Sequence, residues 1–118
     1  MLSPEWADFV DRVEQGARAM KIHVDRPHTT QFALHAKELL EWNRFASLTA
    51  ITDLKEIAEK HFLDTLPLAP LIPPGSQVLD IGSGGGFPGV PLKVMRPDLH
   101  VDLIEASRKK THFLKHLI

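Results

Sequence analysis

The most constraining feature of the sequence is a short apolar segment that runs directly into a glycine-rich turn. The segment reads Val-Leu-Asp-Ile at residues 78–81, and the turn follows as Gly-Ser-Gly-Gly-Gly at residues 82–86. This pattern is typical of a strand in an open α/β sheet, where ligands bind outside the carboxyl ends of the strands. Glycines there let the backbone approach a ligand because no Cβ stands in the way. The turn therefore predicts a ligand site at the end of a first strand.

An acidic residue follows the next predicted strand. Residues 100–104 form a second apolar segment that ends at Glu105, nineteen residues beyond Gly86. At this distance one crossover brings the acid beside the same crevice, where its carboxylate can accept hydrogen bonds from both ribose hydroxyls. Turn and acid together predict a nucleoside site. The candidate contacts are Asp80, Gly82, Ser83, Gly84, Gly86, Phe87, Glu105, Ala106 and Ser107.

Three readings of the turn are open: a site for S-adenosylmethionine, a site for a nicotinamide or flavin dinucleotide, and a purely structural turn. Residues 84–89 also fit the GxGxxG pattern of dinucleotide-binding folds. However, Pro88 and Pro91 remove backbone N–H groups that would bind a pyrophosphate. Asp80 would add negative charge near the phosphates, whereas it suits a cationic ammonium or sulfonium. The residues therefore favour S-adenosylmethionine.

Several candidate residues also have structural readings. Asp80 could fix the turn by accepting backbone N–H bonds, and Glu105 could be a surface acid at a strand end. Phe87 could belong to the core rather than to the crevice. For Ser107, a plain helix N-cap is the favoured reading over contact with an adenine edge.

The chain before the turn predicts helices. Residues 1–66 carry three helical patterns, the first with Ser3 as cap and Pro4 at its first position. The second is predicted over about residues 30–44, after a polar connection. The third is predicted to open with Asp53 and Glu56 in capping-box spacing. These residues predict an N-terminal helical region.

The composition changes after this region. Four prolines and a glycine at residues 67–75 exclude helix and strand interiors and predict a linker or a tight wrapping segment. Residues 76–118 then alternate strand, helix, strand and helix. The predicted fold class is α/β: a helical region at 1–66, a proline-rich linker at 67–75, and from 76 to 118 the first βαβα part of a doubly wound parallel sheet.

Composition removes several classes of function. Fourteen Lys and Arg against fifteen Asp and Glu give no global basicity, and the absence of cysteine excludes disulfides and cysteine-ligated zinc. The seven histidines are dispersed, so no metal site is predicted. No apolar run approaches the roughly 20 residues of a membrane span, and no secretory signal is recognisable, so a cytoplasmic protein is expected.

Residues 80–92, Asp-Ile-Gly-Ser-Gly-Gly-Gly-Phe-Pro-Gly-Val-Pro-Leu, resemble the first motif of the glucose-inhibited division protein B family. This family comprises small-subunit ribosomal RNA guanine-N7 methyltransferases. The run Phe-Pro-Gly-Val-Pro within it is far more restrictive than the glycines. Upstream, Trp42-Asn43, residues 47–53, and His61 with Asp64-Thr65-Leu66 resemble further family segments in the family's order.

The resemblance implies a Rossmann-like class I methyltransferase fold, S-adenosylmethionine as cofactor, and 16S ribosomal RNA or the small ribosomal subunit as partner. The resemblance also gives the basic residues Arg108, Lys109 and Lys110 a second interpretation, contact with the RNA backbone. Their other interpretation is a solvated helix face. The resemblance also implies that His61 and Asp64 hold the helical part against the cofactor site. Guanine N7 has a free lone pair, so no catalytic base is predicted.

The family continues through further strands after the position of Ile118, so the chain is expected to be C-terminally truncated. Two alternatives to an active methyltransferase remain. The first, which the truncation favours, is an inactive fragment that keeps part of the cofactor site. The second, which the GxGxxG pattern at residues 84–89 allows, is a dinucleotide-dependent oxidoreductase. The truncation would also leave an apolar sheet edge open at Val78, Leu79 and Ile81. The chain is therefore expected either to self-associate through this edge or to stay partly molten while the three N-terminal helices are ordered.

Overall fold

The structure, a computed structural model that describes residues 3–118, begins with helix α1 (Pro4–Ala19). Pro4 lies in the first turn as predicted, because the N–H that proline lacks has no partner there. Ser3 occupies the N-cap position, but its side chain makes no capping hydrogen bond. The predicted apolar stripe is buried at Phe9, Val10, Val13 and Ala17.

Helix α2 (Arg26–Ala46) begins earlier than the sequence predicted. The segment before residue 30 was interpreted as a polar connection, which is wrong. Asp25 is the N-cap, and its backbone N–H donates a 3.1 Å hydrogen bond to Nδ1 of His28. Pro27 lies in the first helical turn, where proline is tolerated. Polar residues thus start this helix instead of preceding it.

The third helix begins after Asp53, as predicted, with helix α3 (Leu54–Glu56), and continues without a break as a π-helix (Ile57–Leu63). The predicted capping box is wrong, because the Asp53 side chain makes no capping hydrogen bond. The backbone carbonyl of Asp53 instead accepts the N–H of Ile57 at 2.9 Å.

The proline-rich segment contains a helix, contrary to the prediction. A 3₁₀ helix spans Leu66–Leu71 and includes Pro70. The guanidinium of Arg96 donates hydrogen bonds to the carbonyls of Ala69 (2.6 Å) and Ile72 (2.9 Å). A short 3₁₀ turn has few N–H groups to satisfy, and here a distant arginine binds the carbonyls that would otherwise lack partners. The segment is packed against the rest of the molecule.

The remaining elements are strand β1 (Gln77–Ile81), helix α4 (Gly89–Met95), strand β2 (His100–Ile104) and helix α5 (Arg108–Leu117). The two strands are parallel, with Asp80 opposite Leu103 and Ile81 opposite Ile104. The predicted α/β class, a helical region followed by a βαβα unit, is confirmed. The parallel register brings the ends of both strands to one edge of the sheet.

The two faces of this sheet differ in burial. One face is open and exposes three apolar side chains, with Leu79 57%, Ile81 76% and Ile104 48% exposed. Val78, which was predicted to be exposed with them, is half-buried. Successive strand residues point to opposite faces, so Val78 shares the face of Asp80, against which α4 packs. The exposed feature is therefore a sheet face, and Val78 does not belong to it.

The helical region and the βαβα unit share one hydrophobic core. Phe9, Phe32 and Phe62 are fully buried in it, and Phe87 and Val94 pack against the same cluster from the other side. A second cluster joins α2 to α5. The glycine-rich turn consequently lies directly on the N-terminal helices.

Candidate functional site

The turn after β1 has the backbone conformation that requires glycine. Gly82, Gly84 and Gly86 have φ values of 74°, 53° and 95°, a region that other residues rarely adopt. The N–H of Gly82 donates to the carbonyl of Ile104 at 2.7 Å, which ties the turn to the end of β2. We call residues 82–87 the glycine loop. Its shape is fixed by its own glycines and by the neighbouring strand.

Glu105 binds the glycine loop directly. One carboxylate oxygen accepts the N–H of Gly84 at 2.8 Å, and the other accepts the N–H of Ser107 at 2.9 Å. These bonds, the one from Ser107 first, lower the pKa of Glu105, so the side chain stays ionised. A carboxylate offers about four lone-pair sites, so capacity remains for two further donors. The sequence predicted that loop and acid lie together, and the structure places them in contact.

Asp80 lies beneath the loop. It is buried, and its Oδ2 accepts the N–H of Gly89 at 2.9 Å. A Cβ on Gly89 would lie 2.8 Å from the same oxygen, so the carboxylate and the start of α4 are packed closely. The structural reading of Asp80 is therefore observed, and direct contact with a bound cofactor stays a prediction.

Two further candidates also have structural partners. The buried Ser83 hydroxyl donates to the carbonyl of Asp80 at 2.8 Å. Ser107 is the N-cap of α5, and its hydroxyl oxygen accepts the N–H of Lys110 at 3.4 Å. Between Glu105 and Ser107, Ala106 is exposed at the mouth of the crevice. Contact of Ala106 or Ser107 with an adenine stays a prediction.

Phe87 is stacked between two histidines. Its ring centroid lies 4.4 Å from that of His35 and 4.5 Å from that of His61, with interplanar angles of 8° and 7°. Phe62 meets the same ring edge-on at 5.0 Å. The aromatic ring is thus held mainly by the helical region, which favours the core reading.

His35 was not among the predicted site residues. It is buried on α2, and its Nε2 lies 2.7 Å from the carbonyl oxygen of Gly85 in the glycine loop. Burial lowers its pKa to about 4, so the imidazole is neutral at pH 7. The available signal was its place on the buried stripe of α2, three residues after Phe32 and four before Leu39.

His61 lies on the other side of Phe87. Its Nε2 lies 3.1 Å from the hydroxyl oxygen of Thr49, and burial lowers its pKa. Asp64, with which it was paired in the sequence analysis, is exposed. The position of His61 agrees with the expectation that it joins the helical region to the loop, although its hydrogen-bond partner is Thr49.

The basic residues follow Glu105 on the first turn of α5. Arg108 and Lys109 are exposed, and Lys110 is partly exposed. Further along the same helix, Nε2 of His116 lies 2.9 Å from a carboxylate oxygen of Glu38 on α2. Arg108 and Lys109 thus face solvent and Lys110 does so in part, which agrees with both earlier interpretations.

A cavity of about 600 Å³ opens between α4, β2 and α5. Its lining includes Glu105 and Gly89 but none of the glycines 82–86. We therefore do not assign it to the nucleoside. Within residues 3–118 there is no group of three His, Cys, Asp or Glu side chains placed to hold a metal ion. None of the helices in this part of the chain is long and apolar enough to cross a membrane.

Comparison with known proteins gives a consistent family. The profile of the GidB family, described as rRNA small subunit methyltransferase G, matches residues 28–118. The chain is 42% identical over 112 residues to ribosomal RNA small subunit methyltransferase G of Desulfotalea psychrophila, covering 94% of this chain and 52% of the relative. It is 46% identical over 110 residues to the protein of that name from a Roseiflexus species, covering 92% and 47%.

The chain spans about half the length of these relatives. The matched region includes the glycine loop, Glu105 and the helices that hold them. Shared sequence over nearly the whole chain, together with the βαβα unit seen in the structure, agrees with the resemblance carried by residues 80–92. The chain belongs to the GidB family.

Proposed function

We propose that the chain is the cofactor-binding part of an S-adenosylmethionine-dependent methyltransferase that modifies guanine N7 in 16S ribosomal RNA. The observation that carries the proposal is the contact between Glu105 and Gly84, which joins an ionised acid to a glycine loop at the ends of two parallel strands. A carboxylate in this place can accept hydrogen bonds from both ribose hydroxyls of a nucleoside. The names of the relatives supply the methyltransferase class.

The start of α4 argues against a dinucleotide. A pyrophosphate would need free backbone N–H groups there. The N–H of Gly89 is bonded to the carboxylate of Asp80, and that of Val90 to the carbonyl of Gly86 at 2.9 Å. Pro91 has no N–H. The helix end thus already has an anion and no free donor, which favours S-adenosylmethionine over a dinucleotide.

When bound, S-adenosylmethionine supplies an electrophilic methyl group. The chain's own residues would then bind and orient: the glycine loop by backbone approach, Glu105 through the ribose, and Asp80 by holding the loop on α4. Guanine N7 needs no proton removed, so alignment is the main task left to the protein. We propose no catalytic base.

The division of the chain into residues 1–66, 67–75 and 76–118 is part of this proposal. In it, the helices support the loop, the proline-rich segment joins them to the sheet, and the last part holds the cofactor. Arg108, Lys109 and Lys110 would contact the RNA backbone beside the crevice, since phosphate binding dominates RNA affinity. An enzyme of this kind would work on ribosomal RNA in the cytoplasm.

The second candidate is a chain that keeps part of the cofactor site and catalyses nothing. It is favoured by the open sheet face at Leu79, Ile81 and Ile104. The two candidates make the same prediction for cofactor binding and different ones for turnover.

The test compares this chain with a chimera that appends the C-terminal half of the Roseiflexus relative. Both are incubated with unmethylated small-subunit RNA and S-adenosylmethionine, and the digested RNA is analysed by mass spectrometry. We expect N7-methylguanosine from the chimera and, at limiting S-adenosylmethionine, less of it from the chimera with Glu105→Ala. A chimera that folds, binds cofactor and leaves N7 unmodified would refute the substrate claim.

A further inference from the structure

His35 contacts the glycine loop from the N-terminal helices. It belongs to α2, yet its Nε2 lies 2.7 Å from the carbonyl oxygen of Gly85, 50 residues away in the chain. A carbonyl oxygen can only accept, so Nε2 must carry the proton. The other ring nitrogen, Nδ1, is buried and has no hydrogen-bond partner among the described residues. The structure therefore specifies one tautomer of a neutral imidazole.

The hydrogen bond acts on a part of the loop whose backbone conformation favours glycine. The peptide group that supplies the Gly85 carbonyl continues into Gly86, whose φ is 95°. The N–H of Gly86 donates to the carbonyl of Ser83 at 2.8 Å, and a Cβ on Gly86 would lie 3.2 Å from Nε2 of His35. The imidazole thus lies directly against the loop backbone. Rotation of this peptide group would break the bonds at both of its ends.

The loop is also held from the opposite side. Glu105 accepts the N–H of Gly84, while His35 donates to the carbonyl of Gly85. The peptide group between residues 83 and 84 is therefore bound by a residue after β2, and the peptide group between residues 85 and 86 by a residue of α2. Without His35, the peptide group between residues 85 and 86 would keep only the bond from the N–H of Gly86 to the carbonyl of Ser83.

We propose that His35 is a positioning residue that holds the glycine loop in the conformation which receives the nucleoside. Through it, the N-terminal helices contribute to cofactor binding without touching the cofactor. The inference rests on the proposed function, because the nucleoside site is itself a proposal.

Burial, more than the charges around it, keeps this histidine neutral. Burial is the main cause of its lowered pKa; the bond to Gly85 opposes it, and the nearby His61 adds to it. Glu38 and His116 line a neighbouring cavity with His35 and are bonded to each other. At pH 7 the Nε2–H tautomer is therefore the form available to bind Gly85.

His61 is a matched control, because its ring covers the other face of Phe87 with nearly the same geometry. It is bonded to Thr49 rather than to the loop. His35→Phe keeps an aromatic ring against Phe87 and removes the donor. His35→Gln keeps an N–H donor and removes the ring. His61→Phe keeps an aromatic ring on the other face of Phe87, where the wild-type imidazole makes no hydrogen bond to the loop.

The affinity of the 118-residue chain for S-adenosylhomocysteine is measured by calorimetry for the wild type and these three variants. We expect His35→Phe to weaken binding about fivefold to tenfold, as loss of one buried hydrogen bond predicts. His35→Gln should recover part of this loss. His61→Phe should weaken binding less than His35→Phe does, since His61 stacks on Phe87 but its hydrogen-bond partner is Thr49 and not the loop backbone.

Equal binding by wild type and His35→Phe, or an equal loss in His61→Phe, would overturn the role of His35. A wild type that does not bind at all would instead contradict the proposed function. Nitrogen-15 NMR of the imidazoles at pH 7 tests the geometry without ligand and without substitution. A proton on Nε2 of His35 is expected, and a proton on Nδ1 would refute the hydrogen bond to Gly85.

Discussion

The backbone N–H of Gly84 donates a 2.8 Å hydrogen bond to Oε1 of Glu105, joining the turn after the first strand to the end of the second. This bond couples the conformation of the loop to the acid that is proposed to bind ribose. The second oxygen of Glu105 is held by the N–H of Ser107 at the start of α5. The carboxylate is thus oriented before any ligand arrives, which lowers the entropy cost of binding.

Substituting Glu105→Ala should therefore weaken binding of S-adenosylhomocysteine by about 1–3 kcal/mol, the cost of losing charge-assisted hydrogen bonds to ribose. Calorimetry at pH 7 measures the change. Glu41→Ala is the control, because Glu41 is exposed and paired only with Arg44 on the surface of α2. Unchanged affinity in Glu105→Ala would remove this residue from the site.

Gly89→Ala should destabilise the chain by about 1–3 kcal/mol, because the new Cβ overpacks the start of α4. This cost exceeds the stabilisation that the higher helix propensity of alanine provides. The new Cβ would lie 2.4 Å from a methyl of Leu103 and 2.8 Å from Oδ2 of Asp80, which cannot retreat without losing its bond to Gly89. Gly16→Ala is the matched control. The three atoms nearest its Cβ all belong to the Leu63 side chain, its methyls at 2.4 and 2.7 Å and its Cγ at 3.1 Å, and this side chain has no hydrogen bond to lose.

Urea unfolding of both variants tests this difference. A smaller loss of unfolding free energy in Gly16→Ala than in Gly89→Ala is expected. Equal losses would mean that Asp80 does not confine the start of α4.

Stability should depend on pH through His35. Its folded-state pKa is about 4, against an ordinary value of 6.5. Between these values the unfolded chain binds a proton that the folded chain does not, so this residue's stabilisation is complete above pH 6.5 and is lost as pH falls towards 4. The slope from one such group is at most about 1.4 kcal/mol per pH unit.

Urea unfolding from pH 7 to pH 4 measures this slope in wild type and in His35→Phe. The variant should show a flatter profile, because the other titrating groups are common to both. Parallel profiles would show that His35 is not held neutral by the fold.

The proximity of the loop and the acid could be predicted from the sequence, because each of them belongs to a short local sequence pattern. A glycine turn after a strand, and an acid one crossover later, fix Gly84 and Glu105 near each other through the geometry of a right-handed βαβ unit. His35 could not be paired with Gly85 in this way. Their contact depends on how α2 packs on the sheet, which no short-range pattern specifies.

Local sequence patterns also led to wrong predictions of secondary structure at two places. The polar residues around Asp25 resemble a loop, although a capping aspartate and Pro27 start α2 there. Pro70 excludes an α-helix but not a short 3₁₀ helix whose carbonyls Arg96 binds. At the start of α2 a cap within the local sequence determined the structure. In the proline-rich segment a contact with a distant arginine did so.

The open sheet face predicts association of the 118-residue chain. Leu79, Ile81 and Ile104 are exposed together, and a two-stranded sheet is marginal without further packing. We expect light scattering to show self-association that Ile81→Glu reduces, or hydrogen exchange to show poorly protected amides in β1. A monodisperse monomer with strongly protected amides at residues 78–81 would contradict this prediction.

The central claim is that the glycine loop and Glu105 form a site for S-adenosylmethionine. Calorimetric titration of the wild-type chain with S-adenosylhomocysteine, and separately with NAD⁺, tests it most directly. We predict saturable binding of S-adenosylhomocysteine that Glu105→Ala weakens, and no binding of NAD⁺, because the start of α4 has no free N–H for a pyrophosphate. Binding of NAD⁺ with equal or greater affinity, or no binding of S-adenosylhomocysteine, would contradict the account.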